Sequence, residues 1–530
     1  MARKLFFLIC ACLTLGFFLT VSWSKEDLHK MSMWHVNINP TKPKAKNEYD
    51  VIVAGGGFGG LSSAALLAKN GYKVLVVEKN PTVGGLCSSY EEHGYRFCYG
   101  AEDIDGLGEN GSLTYLLTQL GMDLPSLFVP NTHTFLDGRH AVKVGVGKDA
   151  FENALIQIYP ASAGEIRRFF KKAKKVYAEA YDAEMIQKWG IIVPQDLYSK
   201  AMSEAWIRSY PETHKNVIEW DNKPYQDVLD EYFSTPDIKT VLCGFVSYLG
   251  ARPYNTPASV VVVQTFGYYF SGGYQALGTP QRFAEKLASY VKKNGGEVLC
   301  NHLVDKILVD SSGVHGVQVG KDAFMAPVVV CNVNAKTAYF DLINSDEIPP
   351  DFLKDLWSLP LGNSAFSLHL AVDDQLSSYP SVLQDRYNHT YIAIPTKNDP
   401  TLAPQGKSTV ILRETVRFTN FIRNTKEETE EYIKSRTEDL LAKGQTLIPE
   451  LAKGTVIKKV LTPDTYAHLA NIPYGAIYGF DVQRSSDRPF FRAPISGLYM
   501  ANASLGRAGV DGVITSGILC AHDIMGWSGK

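Results

Sequence analysis

Between Tyr49 and Val77 the chain changes its hydrophobic rhythm twice. Tyr49–Ala54 alternates little and is rich in Val and Ile, the pattern of a parallel strand covered on both faces. Ser62–Asn70 is helix-forming and stops at Gly71, a common helix terminator. Lys73–Val77 returns to the buried-strand pattern, so the run is a strand–helix–strand (βαβ) unit of about 30 residues. Further on, the same rhythms predict a helix over Gln281–Lys293, ended by Asn294-Gly295-Gly296. Strands are predicted at Glu297–Asn301, Val304–Val309, Val314–Val319, Val328–Cys331, Ala365–Val372 and Thr409–Thr415, and a charged helix over Thr425–Gln445. Gly497–Asn502 reads as a strand running into a turn, Gly506–Gly512 as loop and Val513–Met525 as helix.

The first strand and helix are joined by Gly55-Gly56-Gly57-Phe58-Gly59-Gly60. Glycines cost backbone entropy, so a run of them needs a reason. Gly55 permits the tight bend, Gly57 lets a pyrophosphate approach the backbone, and Gly60 lets the helix pack on the strand. The helix start offers N–H groups and a partial positive charge to phosphates. Glu78 ends the second strand, where a carboxylate can accept hydrogen bonds from ribose hydroxyls. Strand, glycine turn, helix and acid together mark a dinucleotide site. Gly84-Gly85 follows directly, with Leu86 and Cys87 behind it. A glycine pair just after the ribose acid resembles the flavoprotein pattern of the amine oxidase and phytoene desaturase superfamily, and points to FAD rather than NAD.

Composition adds limits. The chain has 530 residues, 45% hydrophobic and 20% charged, enough for two or three domains. Its net charge of −2 supplies no field for nucleic acid. The N-terminus is short and basic over Met1–Lys4, then apolar over Leu5–Val21, with small residues before a cleavage point after Ser24. This reads as a secretory signal peptide (residues 1–24), the alternative being a signal anchor. The expectation is a secreted or lumenal protein. The cysteines show no CxxC spacing, so no metal site is expected. Cys87 and Cys98 are the first pair to test for a disulfide. Asn110 and Asn388 begin glycosylation sequons; Asn502 begins a third that is expected to be buried. Ala161–Met185 is an amphipathic helix with a crowded basic face, either a membrane-surface contact or the solvated side of a core helix.

Taken together, these residues resemble the FAD-dependent phytoene desaturase, carotenoid isomerase and retinol saturase family. The likeness runs from about Tyr49 to Trp527 and is densest in Val51–Asn80, Gly272–Ile307 and the run from Thr462 onward. It implies an α/β fold: a doubly wound, Rossmann-like FAD domain of discontinuous segments, with a second mixed α+β substrate domain. The implied cofactor segments are 49–130, 281–345 and 481–530. Residues 131–280 form a substrate and helical region, and 346–480 the substrate domain. Cofactor contacts are expected from Gly55, Gly57, Phe58, Gly60, Glu78, Lys79, Gly85 and Leu86, from Val304 by the adenine, and from Asn502, Gly512 and Val513. The final helix would turn its N-terminus toward the flavin.

Two departures stand out. Ala501-Asn502 replaces a glycine followed by a polar or acidic residue, and Asn502 is the candidate for that polar contact. In retinol saturases a histidine follows the glycine corresponding to Gly100; here Ala101 does, with Glu102 next. Glu102 is a candidate proton donor if buried by the flavin, or an exposed loop carboxylate. Tyr474 is a second candidate for positioning or protonation, and Arg252 or Arg484 for binding a fatty-acid carboxylate. The expected reaction is hydride transfer at C=C or allylic C–H bonds of a hydrophobic polyene, as isomerase, saturase or desaturase. The alternatives are an amine oxidase releasing peroxide, with Tyr474 and Tyr478 as cage aromatics, and a non-enzymatic flavin-containing lipid binder.

Overall fold

The computed structural model describes residues 47–108, 111–147, 149–179, 212–244, 246, 251–386, 389–482, 488–489, 491–505 and 509–526. The N-terminal 24 residues, Asn110, Asn388 and Arg484 lie outside these.

The strands Val51–Ala54 and Val74–Val77 are buried at every position and pair in parallel. Both faces are covered, which is why their sequences are apolar without alternation. Val329–Cys331 flanks the first strand, Leu498–Met500 flanks that, and Glu297–Leu299 closes the other edge, all parallel. One sheet is thus assembled from three distant parts of the chain.

The helix after the glycine turn spans Phe58–Lys69, starting four residues before Ser62, because Gly59 and Gly60 are themselves helical. A Cβ on Gly60 would lie 2.4 Å from the Gly55 carbonyl oxygen and 2.8 Å from Val53 Cγ1, so helix and strand backbones are in contact there. The last helix, Gly509–Ile524, also begins earlier than its sequence pattern; Gly509–Gly512 is helical rather than loop. Val304 lies in the connection before the strand Lys306–Asp310, not in the strand.

A seven-stranded mixed sheet forms the second layer. Its order is Thr455–Leu461, Ser364–Val372, Ser408–Val416, Thr390–Ala393, Val382–Asp385, His133–Leu136, Ala141–Val144. All pairs are antiparallel except Val382–Asp385 with His133–Leu136. The region read as helical therefore contributes two strands. Its helices pack around Phe169, Trp220 and Phe266. On the helix Ala163–Glu179, Lys172 pairs with Glu219 and Lys174 with Asp149 and Glu152. Part of its basic face is therefore tied to neighbouring acids. Among the described residues no helix is long and apolar enough to cross a membrane.

Candidate active site

The glycine turn, the end of the second strand and the start of the last helix open on one cleft. Its empty space is about 1770 Å³, mouth included. Gly55, Gly57, Phe58, Glu78, Lys79, Gly85, Leu86, Val304, Asn502 and Val513 all line it. Gly60 packs behind the turn, and Gly512 is buried without lining the cleft.

The local geometry explains the glycines. Gly55 has φ +104°, which a side chain rarely adopts. The helix Phe58–Lys69 has no side-chain N-cap, so the N–H groups of its first turn are left for a ligand at the cleft. Glu78 is buried; its Oε2 accepts the Gly56 N–H and its Oε1 the Asn80 N–H, both at 2.8 Å. The carboxylate thus stands at the cleft while fixing two loops. Lys79 donates to the His468 carbonyl at 2.8 Å. The N-terminal turn of the last helix lines the cleft through Gly509, Val510 and Val513. An uncapped helix start, a glycine floor and an acid at the strand end fit the pyrophosphate and ribose of a flavin dinucleotide.

Several expectations need correction. Asn502 lines the cleft, but its amide is used within the protein. Nδ2 donates to the Val333 carbonyl at 2.7 Å and Oδ1 accepts the Ser504 N–H at 2.8 Å. It fastens two strand ends rather than reaching outward. Glu102 is neither an exposed loop carboxylate nor a lone acid. It is buried and clamped by Arg413 through both carboxylate oxygens, Nη2 to Oε1 at 2.6 Å. A carboxylate so paired is a structural anchor, not a proton donor facing substrate. Tyr474 is 58% exposed and stacks on Phe418 with ring centroids 4.4 Å apart. It lines a separate open groove, as does Arg252. Cys87 and Cys98 are both free thiols. Burial, with the Glu102 charge adding to it, pushes the Cys87 thiol up to about 12, so it stays protonated at neutral pH.

Three residues escaped sequence reasoning. Asn332, just past the strand Val329–Cys331, accepts the Gly57 N–H at 2.9 Å and donates to the Ala501 carbonyl. It joins the glycine turn to the C-terminal strand. An asparagine directly after a buried strand was its only signal. Asp103 lines the cleft with both oxygens engaged: Oδ2 meets His133 Nε2 at 2.9 Å and Oδ1 accepts from Asn131 at 2.8 Å. His133 reaches it from the second sheet, a pairing no local pattern announces. Asp103 and His133 form a buried acid–imidazole pair whose carboxylate lines the cleft.

Comparison with known proteins agrees with this geometry. Residues 58–525 match the family described as flavin containing amine oxidoreductase. Prolycopene isomerase 1 of an Oncidium hybrid cultivar is 25% identical over 521 residues, covering 91% of this chain and 85% of that protein. Human all-trans-retinol 13,14-reductase is 24% identical over 529 residues, covering 90% and 85%. Among solved structures, an oxidoreductase from Methanosarcina mazei superposes with a TM-score of 0.64 at 18% identity, covering 88% of this chain and 99% of that one. Putrescine oxidase bound to putrescine gives 0.61 at 16%, covering 90% and 99%. These structures share the fold. The cleft and the family match together identify the chain as a member of the flavin-containing amine oxidoreductase family, an FAD-dependent enzyme of the branch resembling carotenoid isomerases and retinol saturases.

Proposed function

We propose that this enzyme acts on C=C and allylic C–H bonds of a polyene lipid, as a double-bond isomerase or as a saturase or desaturase. The supporting observation is the wall where the second sheet meets the cofactor domain. Ala365, Tyr466, Leu86, Tyr99 and Ile477 form one hydrophobic cluster, and all five line the cleft. Among the described residues the cleft's one lysine is Lys79, held at the nucleotide end by the His468 carbonyl. An apolar wall without a lysine suits a hydrocarbon chain. Relatives named for prolycopene and retinol support the same substrate class.

FAD, when bound, supplies hydride chemistry. The protein's own task is to hold the chain against the ring, exclude water and manage protons. We assign the last to Asp103, which lines the cleft and meets His133 Nε2 behind it. Removing hydride from one allylic carbon and returning it at another changes no composition, so isomerisation needs no co-substrate. Saturation needs a two-electron donor, and desaturation an acceptor. We place the enzyme in a secretory or extracytoplasmic compartment on the strength of the apolar leader Leu5–Val21. Reduced nicotinamide is scarce there, which favours the redox-neutral reaction.

The test is anaerobic. Polyunsaturated fatty acids, retinoids and carotenoids are added to the flavin-loaded enzyme. New conjugated-polyene absorbance without lasting flavin bleaching is expected for isomerisation, and lasting bleaching for desaturation. No change with any polyene would end this reading. The amine-oxidase reading keeps one supporting observation: Tyr478, one of its two expected cage aromatics, lines the cleft. Peroxide release on amine addition in air would favour it.

A further inference from the structure

A second groove lies across Arg413 from the cofactor cleft, and Arg413 lines both. Its rim is unusual in composition. Trp357 is 69% exposed, Ile422 59%, Tyr474 58% and Tyr254 57%. Trp357 and Tyr474 line the groove directly. Tyr254 lies between the lining residues Arg252 and Asn255. Ile422 follows Phe421, whose ring packs 5.2 Å from that of the lining residue Tyr432. Half of the large hydrophobic side chains exposed on the described surface are therefore gathered at one opening.

Cations alternate with them. Lys336 Nζ lies 5.4 Å from the Trp357 ring, Arg423 4.1 Å from Tyr432, and Arg252 6.0 Å from Tyr254. Arg417 lines the groove beside Phe418. Of the groove's acids, Glu414 is already held by Arg436 and Lys443; Asp341 and Asp481 complete the set. Cations outnumber acids. Single exposed apolar residues are ordinary on a protein surface, but a cluster interleaved with Lys and Arg is not. Amphipathic rings and snorkelling cations are the makeup of a surface resting at the boundary of a lipid bilayer.

We propose that this rim docks the enzyme on an anionic lipid bilayer, with Trp357 and Ile422 in the headgroup region and Arg252, Arg417 and Arg423 on lipid phosphates. The helix Ala163–Glu179, whose Lys172 and Lys174 are paired internally, is a separate surface. The groove then opens onto the membrane. That it also receives a polyene from there rests on the proposed function; the docking does not.

The experiment uses flavin-loaded protein lacking residues 1–24, so that the apolar leader contributes nothing. It is sedimented with vesicles of phosphatidylcholine alone and of phosphatidylcholine with phosphatidylserine. Binding is expected to the anionic vesicles and to weaken as salt shortens the Debye length. Arg423→Gln is expected to lower the partition about fivefold, the usual weight of one cation at an anionic leaflet. Trp357→Ser combined with Ile422→Ser is expected to lower it at least about tenfold. Flavin content and melting temperature should be unchanged, since these side chains are exposed. Failure to bind anionic vesicles, or binding these variants leave intact, overturns the proposal. So does a dimer in sedimentation that Trp357→Ser dissociates, which would assign the rim to a second copy. Absence of polyene turnover leaves this result untouched and counts only against the reaction.

Discussion

Arg413 grips both oxygens of Glu102 where the second sheet meets the cofactor domain, with side-chain exposures of 8% and 1%. The same guanidinium donates to the Tyr99 carbonyl and to Ser367 Oγ, each at 3.0 Å. One side chain from Ser408–Val416 thus pins the loop after the hairpin Ser89–Cys98.

Removing one partner of such a pair leaves a buried charge without its counter-ion. Arg413→Met alone is expected to lower stability by ~3–5 kcal/mol, and Glu102→Leu with Arg413→Met by much less. Thermal melting of the flavin-loaded variants reads the difference. Equal losses in single and double variants would show that the two residues do not act as a pair.

The glycine turn makes a sharper demand. A Cβ on Gly57 would lie 2.4 Å from Asn332 Oδ1, so even alanine must break the bond that shapes the turn. Gly57→Ala is expected to lose most of its flavin, read as the flavin-to-protein absorbance ratio after gel filtration. Asn332→Ala removes the acceptor of one amide and is expected to weaken retention by ~1–3 kcal/mol. Full flavin occupancy in both would separate this turn from cofactor binding.

Helix contact can be tested directly. A Cβ on Gly517 would lie 2.2 Å from the Gly59 carbonyl oxygen, and backbone cannot yield as a side chain can. Gly517→Val is expected to cost at least ~1–3 kcal/mol. Gly164, on the exposed side of the helix Ala163–Glu179, would meet nothing within 4 Å. Gly164→Ala is expected to stabilise by ~0.5–1 kcal/mol. Chemical denaturation of the two variants side by side checks both signs.

Stability should also carry a pH signature from Asp221. Burial raises its carboxyl to about 7, against a single hydrogen bond from Ser259 Oγ at 2.7 Å. A folded value above the unfolded one means the folded state binds the proton more tightly. The benefit is complete below the unfolded value near 3.8 and is lost as pH rises through about 7. The slope inside that window is at most ~1.4 kcal/mol per pH unit. Asp221→Asn is expected to raise the melting temperature more at pH ~8 than at pH ~5. An equal effect at both would contradict a protonated Asp221.

Much of the cofactor half was legible because its signals are local. The glycines, the flanking apolar runs and Glu78 sit within one stretch, and each is dictated by its neighbours. Helix starts were misplaced where glycine opens the helix, at Phe58 and at Gly509, since composition there reads as turn. What stayed hidden depends on distant partners. Nothing near Glu102 in sequence points to Arg413, 311 residues away. Nothing near Asn332 points to Gly57, 275 residues away. Tyr474 looked chemical because tyrosine so often is; only the fold shows its ring in the open, stacked on Phe418. The strands His133–Leu136 and Ala141–Val144 are four residues each, too short to stand out among helix-like runs.

The parallel sheet ends in Leu498–Met500, and that strand carries Ala501, whose carbonyl accepts from Asn332. A nascent chain emerging from the ribosome therefore holds the opening βαβ unit long before it can hold the coenzyme. The binding cradle closes only once Leu498–Met500 and the helix Gly509–Ile524 have been made. Loading must follow synthesis of that helix, and a premature stop anywhere upstream of Leu498 leaves an open, apolar sheet edge for quality control to find.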